Sequence, residues 1–466
     1  MSNLILAAMI LALGLLLTTD TTAAPVKPIS LHPDNHKYFL FRDKPTVLIT
    51  SAEHYGAVLN LDFQQKPYLD EMKRSGMNYT RIFTGAYCES PGDFNIPHNT
   101  LAPAEGKLVC PWARSSQSGY TGGGNKFDLT KWDEAYFKRL KSYITEAGKR
   151  GIVVEISLFC PFYGDSMWVL SPMKSTNNIN GVGEVAREEV YTLKHPDITK
   201  IQDEMTRKIV SELRDFDNIF YEICNEPYFG GVTLEWQKHI ATVIKEAQSR
   251  FATHHLIAQN INNGSERVTN PDPNVSILNF HYANPPSAVE ENSSFKGAIG
   301  CDETGFQGQA DSPYREEGWE FILAGGALYN NLDYSFTTSN PDGTAKVDPP
   351  TPGGGGVTFR AGMSALKKFM DSFNSIKMSP DKTIQAPDGI TIRALSEPGK
   401  QYAIYIRGGN QITLKLDVLK GKYQVKWVDT RTGDTLKIQQ ITHKGGTMEA
   451  VSPEYDGDTA VSIKQE

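Results

Sequence analysis

Five short stretches of the 466-residue chain set charged or strongly hydrogen-bonding side chains at the ends of apolar runs: Glu53-His54-Tyr55, Arg81, Asn225-Glu226-Pro227, His281-Tyr282 and Glu303. A charge left buried and unpaired there would cost several kcal/mol, so these residues must pair with one another or face a wet cleft. Their types are those of acid–base and nucleophilic chemistry. Two carboxyl groups held about 5 Å apart tune each other, because the charge of one raises the pKa of its neighbour. The protonated one donates to a leaving oxygen while the ionised one attacks carbon. Glu226 and Glu303 are the candidate pair. Glu222, four residues before Glu226, is expected to be deeper and structural, and strand alternation should point Asp302 away from Glu303.

Residues so far apart in sequence meet only if the architecture gathers strand ends. Apolar runs fit buried strands at Thr46 to Ser51, Asn78 to Phe83, Ile152 to Phe159, Ile219 to Cys224, His255 to Asn260, Val275 to His281, Ala298 to Glu303 and Ala327 to Tyr334. Helical periodicity lies between them. Trp132, Tyr136, Leu140, Tyr143 and Ala147 share a face after a Thr130-x-x-Asp133 cap, and Gly151 marks a stop. Ile201, Met205, Ile209 and Leu213 share another, and helices are expected over 234–252, 312–324 and 359–373. This alternation predicts a (β/α)₈ TIM barrel over residues 25–378, preceded by a hairpin around Arg42-Asp43; a doubly wound sheet is the runner-up. Strands four and seven of a barrel face each other, so Glu226 and Glu303 would enter one cleft from opposite sides. From Gln385 onward short strands and turns alternate, which predicts a small C-terminal antiparallel β-sandwich over 379–466. The connections 84–127 and 161–194 are long enough to wall the cleft, favouring a pocket for chain ends over an open groove.

Ile219-Phe-Tyr-Glu-Ile-Cys-Asn-Glu-Pro227 resembles the strand-four signature of clan A, the (β/α)₈ retaining glycoside hydrolases that include the cellulases and mannanases of glycoside hydrolase family 5. In that clan the Glu after the Asn is the acid/base, which makes it Glu226; the nucleophile ends strand seven, which makes it Glu303 in Ile299-Gly-Cys-Asp-Glu-Thr-Gly305. The resemblance further implies that Arg81 in Asn78-Tyr-Thr-Arg-Ile holds the nucleophile ionised, that Asn225 bonds the sugar 2-hydroxyl, and that His281-Tyr282 is the strand-six pair. Family 5 has a His near the end of strand three, where this chain has Leu158-Phe159-Cys160, and a Trp after strand eight, where it has Asp333-Tyr334-Ser335-Phe336. The C-terminal segment is similar to the small sandwich appended to many such enzymes.

The expected function is a secreted retaining β-glycoside hydrolase acting on oligo- or polysaccharide by double displacement, with Asn225, Arg81, His281, Tyr282, His54, Trp168 and Tyr334 as substrate-binding residues. Tyr163, Tyr228, Phe306 and Trp112 are further stacking candidates. The alternatives are a non-catalytic carbohydrate-binding barrel, and a hydrolase of ester or peptide bonds, which no G-x-S-x-G supports. With 47 Lys+Arg against 54 Asp+Glu, the net charge of −7 disfavours a nucleic-acid partner. No G-x-G-x-x-G follows the first strand and no H-E-x-x-H occurs, so neither a cofactor nor a metal is expected. The apolar run Leu4 to Leu17, followed by Thr and Ala, reads as a signal peptide over 1–24, giving a secreted or periplasmic protein with no membrane insertion after cleavage. In such a compartment Cys88 and Cys110 are equally consistent with a disulfide and with free thiols; Cys160, Cys224 and Cys301 read as core. Sugar identity, linkage and oligomeric state leave no mark on the sequence.

Overall fold

A computed structural model of the protein describes residues 27–466. The signal peptide expected over residues 1–24 lies outside the described residues. Eight strands form one parallel sheet: Leu48–Ala52, Tyr79–Phe83, Val153–Phe159, Ile219–Cys224, Ile257–Asn263, Ile277–His281, Ala298–Glu303 and Leu328–Leu332, called strands one to eight below. Strand eight pairs with strand one in register from Leu328↔Leu48 to Leu332↔Ala52. Between strands one and two a side chain bridges the seam. Asn78 accepts from Ile49 N (2.9 Å) and donates to Val47 O (2.9 Å), as a backbone amide would. Residues on both faces of nearly all these strands are buried, which is why each reads as an unbroken apolar run instead of an alternation.

Helices cover the outside. Helix Glu134–Lys149 starts one turn later than the Thr130 cap would place it: Asp133 is the N-cap, accepting from Ala135 N (2.9 Å) and Tyr136 N (3.1 Å), because residues through Trp132 are drawn into a hairpin. Helices Pro196–Leu213, Leu234–Gln248, Asp311–Leu323 and Val357–Asp371 fall where the periodicity put them. Strands Ser30–His32, Asn35–Phe41 and Lys44–Thr46 form the N-terminal hairpin layer, turning at Arg42 (φ 50°) and Asp43 (φ 60°). This layer closes the barrel floor through Phe39 stacked on Phe220 (6.5 Å) and Ile29 N donating to Asp217 O (2.8 Å). Among the described residues no helix is long and apolar enough to cross a membrane.

From Ser379 the chain forms a six-stranded antiparallel sheet faced by the pair Thr413–Val418 and Gly446–Val451, around Ile404, Leu414, Tyr423, Trp427 and Val461. The strands Thr435–His443 and Gly446–Val451 escape a sequence reading because they are edge strands with alternating solvated residues. The sandwich is joined to the barrel by buried polar and aromatic contacts. Arg315 donates to Asp458 twice (3.2 and 2.9 Å), Arg407 pairs with Glu320 (2.6 Å), and Trp319 stacks on Tyr405 (5.6 Å). The large apolar side chains that the sandwich exposes are Leu419, Leu436, Ile438 and Val451, so among the described residues it offers no aromatic platform for a sugar. All five cysteines are free and buried; burial pushes the Cys88 and Cys110 thiols up to about 12.

Candidate active site

The C-terminal ends of the strands converge on Arg81, which strand two buries completely. Its Nη2 donates to Glu222 and to Asn225 Oδ1 (2.9 Å) and lies 3.4 Å from Asp302, while Nη1 lies 3.4 Å from Glu303 Oε2. The guanidinium stacks over the Tyr55 ring at 4.8 Å. Burial opposes its charge, but Glu222 and Asp302 outweigh burial and hold the pKa well above the ordinary arginine value. Strand alternation fails at Asp302. A register shift between Phe280 and His281 sets His281 opposite Glu303, and Asp302 turns inward, toward Arg81 and His281, instead of pointing away.

Beneath this level Glu155, Glu222 and Asp302 bring carboxylate oxygens within 4.8 Å of one another. Three charges that close cannot all persist. Burial, then Glu222 and Asp302, push Glu155 well above the carboxylate range, where its carboxyl is met by Tyr79 and by Asn279 Nδ2 (2.9 Å). Burial lifts Glu222 to about 7, whereas Arg81 and His281 outweigh burial at Asp302 and lower it. The floor therefore keeps Glu155 protonated beside an ionised Asp302. Its three oxygens could ligate a cation, but Arg81 already occupies that role.

Above the floor stand Glu226 and Glu303. Glu226 accepts from Tyr163 OH (2.6 Å) and Tyr228 OH (3.1 Å) and meets His281 Nδ1 at 3.1 Å. Glu303 accepts from Tyr282 OH at 2.7 Å. Donor and acceptor atoms of Glu226, His281 and Glu303 all lie within 4.8 Å of one another, a triad that could also ligate a metal. His281 is buried, and burial disfavours its charge, but Glu303 and Asp302 prevail and raise its pKa well above the usual value. Burial likewise opposes ionisation of Glu226, but His281, Tyr163 and Tyr228 outweigh it and lower its pKa. The Glu226–His281 pair thus shares one proton over a wide pH range. Glu226 (φ 36°), Tyr55 (φ 65°), Tyr282 (φ 50°), Phe94 (φ 55°) and Phe306 (φ 60°) are all left-handed. Such backbone costs about 1–3 kcal/mol per residue and persists where a site over-determines it.

An inner pocket of about 50 Å³ reaches both carboxylates and is lined further by His54, Tyr55, Glu89, Cys160 and Tyr282. It opens onto an outer cleft of about 760 Å³ that includes Glu226, Phe94, Phe229, Asn263, Asn284 and Phe306. The structure thus gathers Asn225, Arg81, His281, Tyr282 and His54 around the pair. Trp168 and Tyr334 line neither the inner pocket nor the outer cleft. Trp168 is buried against Phe162 (4.7 Å) with its indole N–H on Val185 O (3.1 Å), because the short helix Asp165–Trp168 folds inward under its loop. Tyr334 stacks behind His54 at 6.0 Å and lines a separate small cavity, because the chain after strand eight bends under the 351–356 loop. Trp112 is also core. Tyr163 and Tyr228 hydrogen-bond the acid instead of offering a bare stacking face, a role that only the loop fold reveals. Glu89 carried no sequence signal at all.

An eight-stranded barrel with two close carboxylates at the ends of strands four and seven defines a hydrolase-like acid/nucleophile site. Residues 44–312 match the family model "Cellulase (glycosyl hydrolase family 5)", and the chain belongs to that family: it is a glycoside hydrolase. Residues 385–461 match "Putative collagen-binding domain of a collagenase". Among solved structures the fold is similar to a "putative glycoside hydrolase" from Bacteroides vulgatus ATCC 8482 (TM-score 0.65, 13% identity, 94% of this chain and 82% of that one). It is also similar to a glycoside hydrolase family 5 protein from the same organism (TM-score 0.61, 13% identity, 94% and 93%). No curated protein matches the sequence. Membership holds despite Cys160 and the Asp333–Phe336 segment replacing the family's His and Trp.

Proposed function

We propose that the protein is an exported retaining β-glycosidase acting on neutral sugars. The observation that carries the retaining reading is the spacing: carboxylate oxygens of Glu226 and Glu303 lie within 4.8 Å, suited to direct attack and too close to admit the water that an inverting enzyme needs between them. Glu303 attacks C1 from one face while Glu226 gives its proton to the departing glycosidic oxygen; the C1–O bond breaks and a glycosyl ester forms on Glu303. Glu226, now ionised, takes a proton from water, whose oxygen attacks C1 and releases Glu303. In the resting enzyme that proton lies between Glu226 and His281; it leaves with the glycosidic oxygen in the first step and is restored from water in the second. Arg81 and Tyr282 fix both oxygens of Glu303, and Asn225, anchored by Arg81, presents its amide toward the pocket wall formed by Tyr163 and Cys160.

Neutral sugar follows from the lining. Among the described residues neither the inner pocket nor the outer cleft presents a lysine or arginine to pair with a uronate or sulfate. Export rests on the apolar run Leu4 to Leu17 and is tested by N-terminal sequencing of the mature protein, which should begin near Pro25. The enzymatic reading is tested with activated aryl β-glycosides (gluco, galacto, manno, xylo, fuco). The first-formed product should be the β-anomer, and a 2-deoxy-2-fluoro glycoside should label Glu303. An α-anomer as first product would sink the mechanism, and a wild type that binds sugar without turnover would favour the binding-only barrel.

A further inference from the structure

The inner pocket and the outer cleft differ in what closes them. The two share Phe94, Tyr163, Glu226, Tyr282 and Phe306; what the outer cleft adds comes from the ends of strands four to seven and the segments after them, whereas the far end of the inner pocket adds His54, Tyr55, Glu89 and Leu101, after strands one and two. The acid must face the leaving group, so the outer cleft is the aglycone side and the inner pocket holds the glycone.

Behind Leu101 and His54, at the glycone end, the chain is stitched down. Gly56 sits so close to residue 100 that a Cβ there would lie 2.2 Å from Thr100 O. Asn60 Nδ2 donates to Thr100 O (3.0 Å), Thr100 Oγ1 donates to Glu53, and Glu53 accepts from Gly56 N and Ala57 N (both 3.1 Å). Val109 N donates to Leu59 O (2.9 Å). Burial lifts Glu53 to about 7 against these hydrogen bonds, so it serves the seam and not the sugar.

Two polar groups face the pocket from this wall. Glu89 is 5% exposed, and its backbone N–H is fixed to Leu101 O (2.9 Å). Tyr87 OH (2.8 Å) and Asn99 hold its carboxylate, and its nearest cationic group is His54, at 3.8 Å. Both ring nitrogens of His54 are buried without a hydrogen-bond partner. A carboxylate beside an unpartnered imidazole, in a pocket otherwise walled by Tyr55, Phe83, Phe94 and Leu101, matches the edge of a sugar ring: two vicinal hydroxyls donate to the carboxylate while one accepts from, or donates to, the ring nitrogen.

Resting on the glycosidase reading above, we infer that the enzyme is exo-acting: the blind pocket accepts a single terminal sugar, and Glu89 with His54 reads the hydroxyls farthest from the scissile bond. A chain continuing past that sugar meets the Thr100 seam. The inner pocket is far smaller than the outer cleft, about 50 Å³ against 760 Å³.

The test compares, for the sugar the wild type cleaves best, its 4-nitrophenyl β-glycoside with a 4-nitrophenyl disaccharide of that sugar capped at the non-reducing end by a 4,6-benzylidene group. The monosaccharide should be cleaved and the capped substrate should release nitrophenol at least 1,000-fold more slowly; release within tenfold overturns the inference. Glu89→Gln, or His54→Gln should Glu89→Gln not fold, should lower kcat/KM about 10- to 100-fold, mainly through KM. On the 3- or 4-deoxy glycoside that wild type handles poorly, the same variant should lose less than threefold, since the hydroxyl it served is gone. An equal loss on parent and deoxy sugars would make Glu89 a loop brace only. Labelling of Glu303 by a 2-deoxy-2-fluoro glycoside alongside cleavage of the capped substrate would refute exo action and leave the retaining mechanism standing; absence of a glycosyl ester would remove the mechanism itself.

Discussion

Replacing Glu226 with Gln keeps size and shape but removes the exchangeable proton. The structure sets how much that should cost. Among the residues lining the outer cleft, where the leaving oxygen must sit, Glu226 is the only carboxylic acid. The phenols beside it cannot take over, because burial drives Tyr163 and Tyr228 well above their ordinary values. The full contribution of general acid catalysis, about 10²–10⁴-fold, is therefore at stake for an alkyl or sugar leaving group. A 2,4-dinitrophenolate needs no proton, so kcat/KM for that glycoside should fall less than about tenfold, a margin for the one tyrosine bond that the amide nitrogen cannot accept, about 1 kcal/mol. Water attack still needs the base. On the activated glycoside kcat should fall about 10²–10⁴-fold, the glycosyl-enzyme should accumulate, and KM should drop with it. The assay is steady-state and burst kinetics on a series of aryl glycosides, with added azide as a nucleophile that needs no base. A uniform fall in kcat/KM across leaving groups, or no acceleration by azide, would refute the assignment of Glu226.

Further expectations follow from the same contacts. The pair of Glu226 and His281 should hold one proton between the lowered pKa of the carboxyl and the raised pKa of the imidazole, so the alkaline limb of kcat/KM reports loss of that proton from His281. In His281→Gln the last proton sits on a carboxyl and no longer on an imidazole, and the alkaline limb should move to lower pH; an unmoved limb would count against the shared proton. Asp458→Ala removes a buried carboxylate that also accepts from Tyr405 (3.1 Å) and Thr430 (2.8 Å) and strands Arg315, which should destabilise the sandwich–barrel junction by about 3–5 kcal/mol in denaturant unfolding. Gly56→Ala drives a methyl into Thr100 O and should lower stability by about 1–3 kcal/mol and raise KM for short glycosides, whereas a wild-type melting curve would mean that the seam is loose. Thiol titration of denatured, unreduced protein should count five cysteines, with Cys88 and Cys110 unreactive in the native state; three would mean that a disulfide joins them.

The parts of the protein that depend on local pattern were legible in the chain. Strands buried on both faces must be continuously apolar, so the eight barrel runs and the polar residues that end them stood out, and with them Glu226, Glu303, Arg81 and His281. Edge strands such as Thr435–His443 carry no such constraint and passed as turns. Tertiary structure alone decided the rest. Asp302 faces inward because a register shift beside strand six overrides alternation, a pairing between chains of residues that no local period encodes. Trp168, expected at the sugar, and Glu89, of which nothing was expected, are sorted by tertiary structure too: both lie in long loops, and only the path of the loop sends one into the core and the other to the pocket wall. The order of chemical groups along strands is written locally, whereas the direction in which a loop side chain points is set by what that loop packs against.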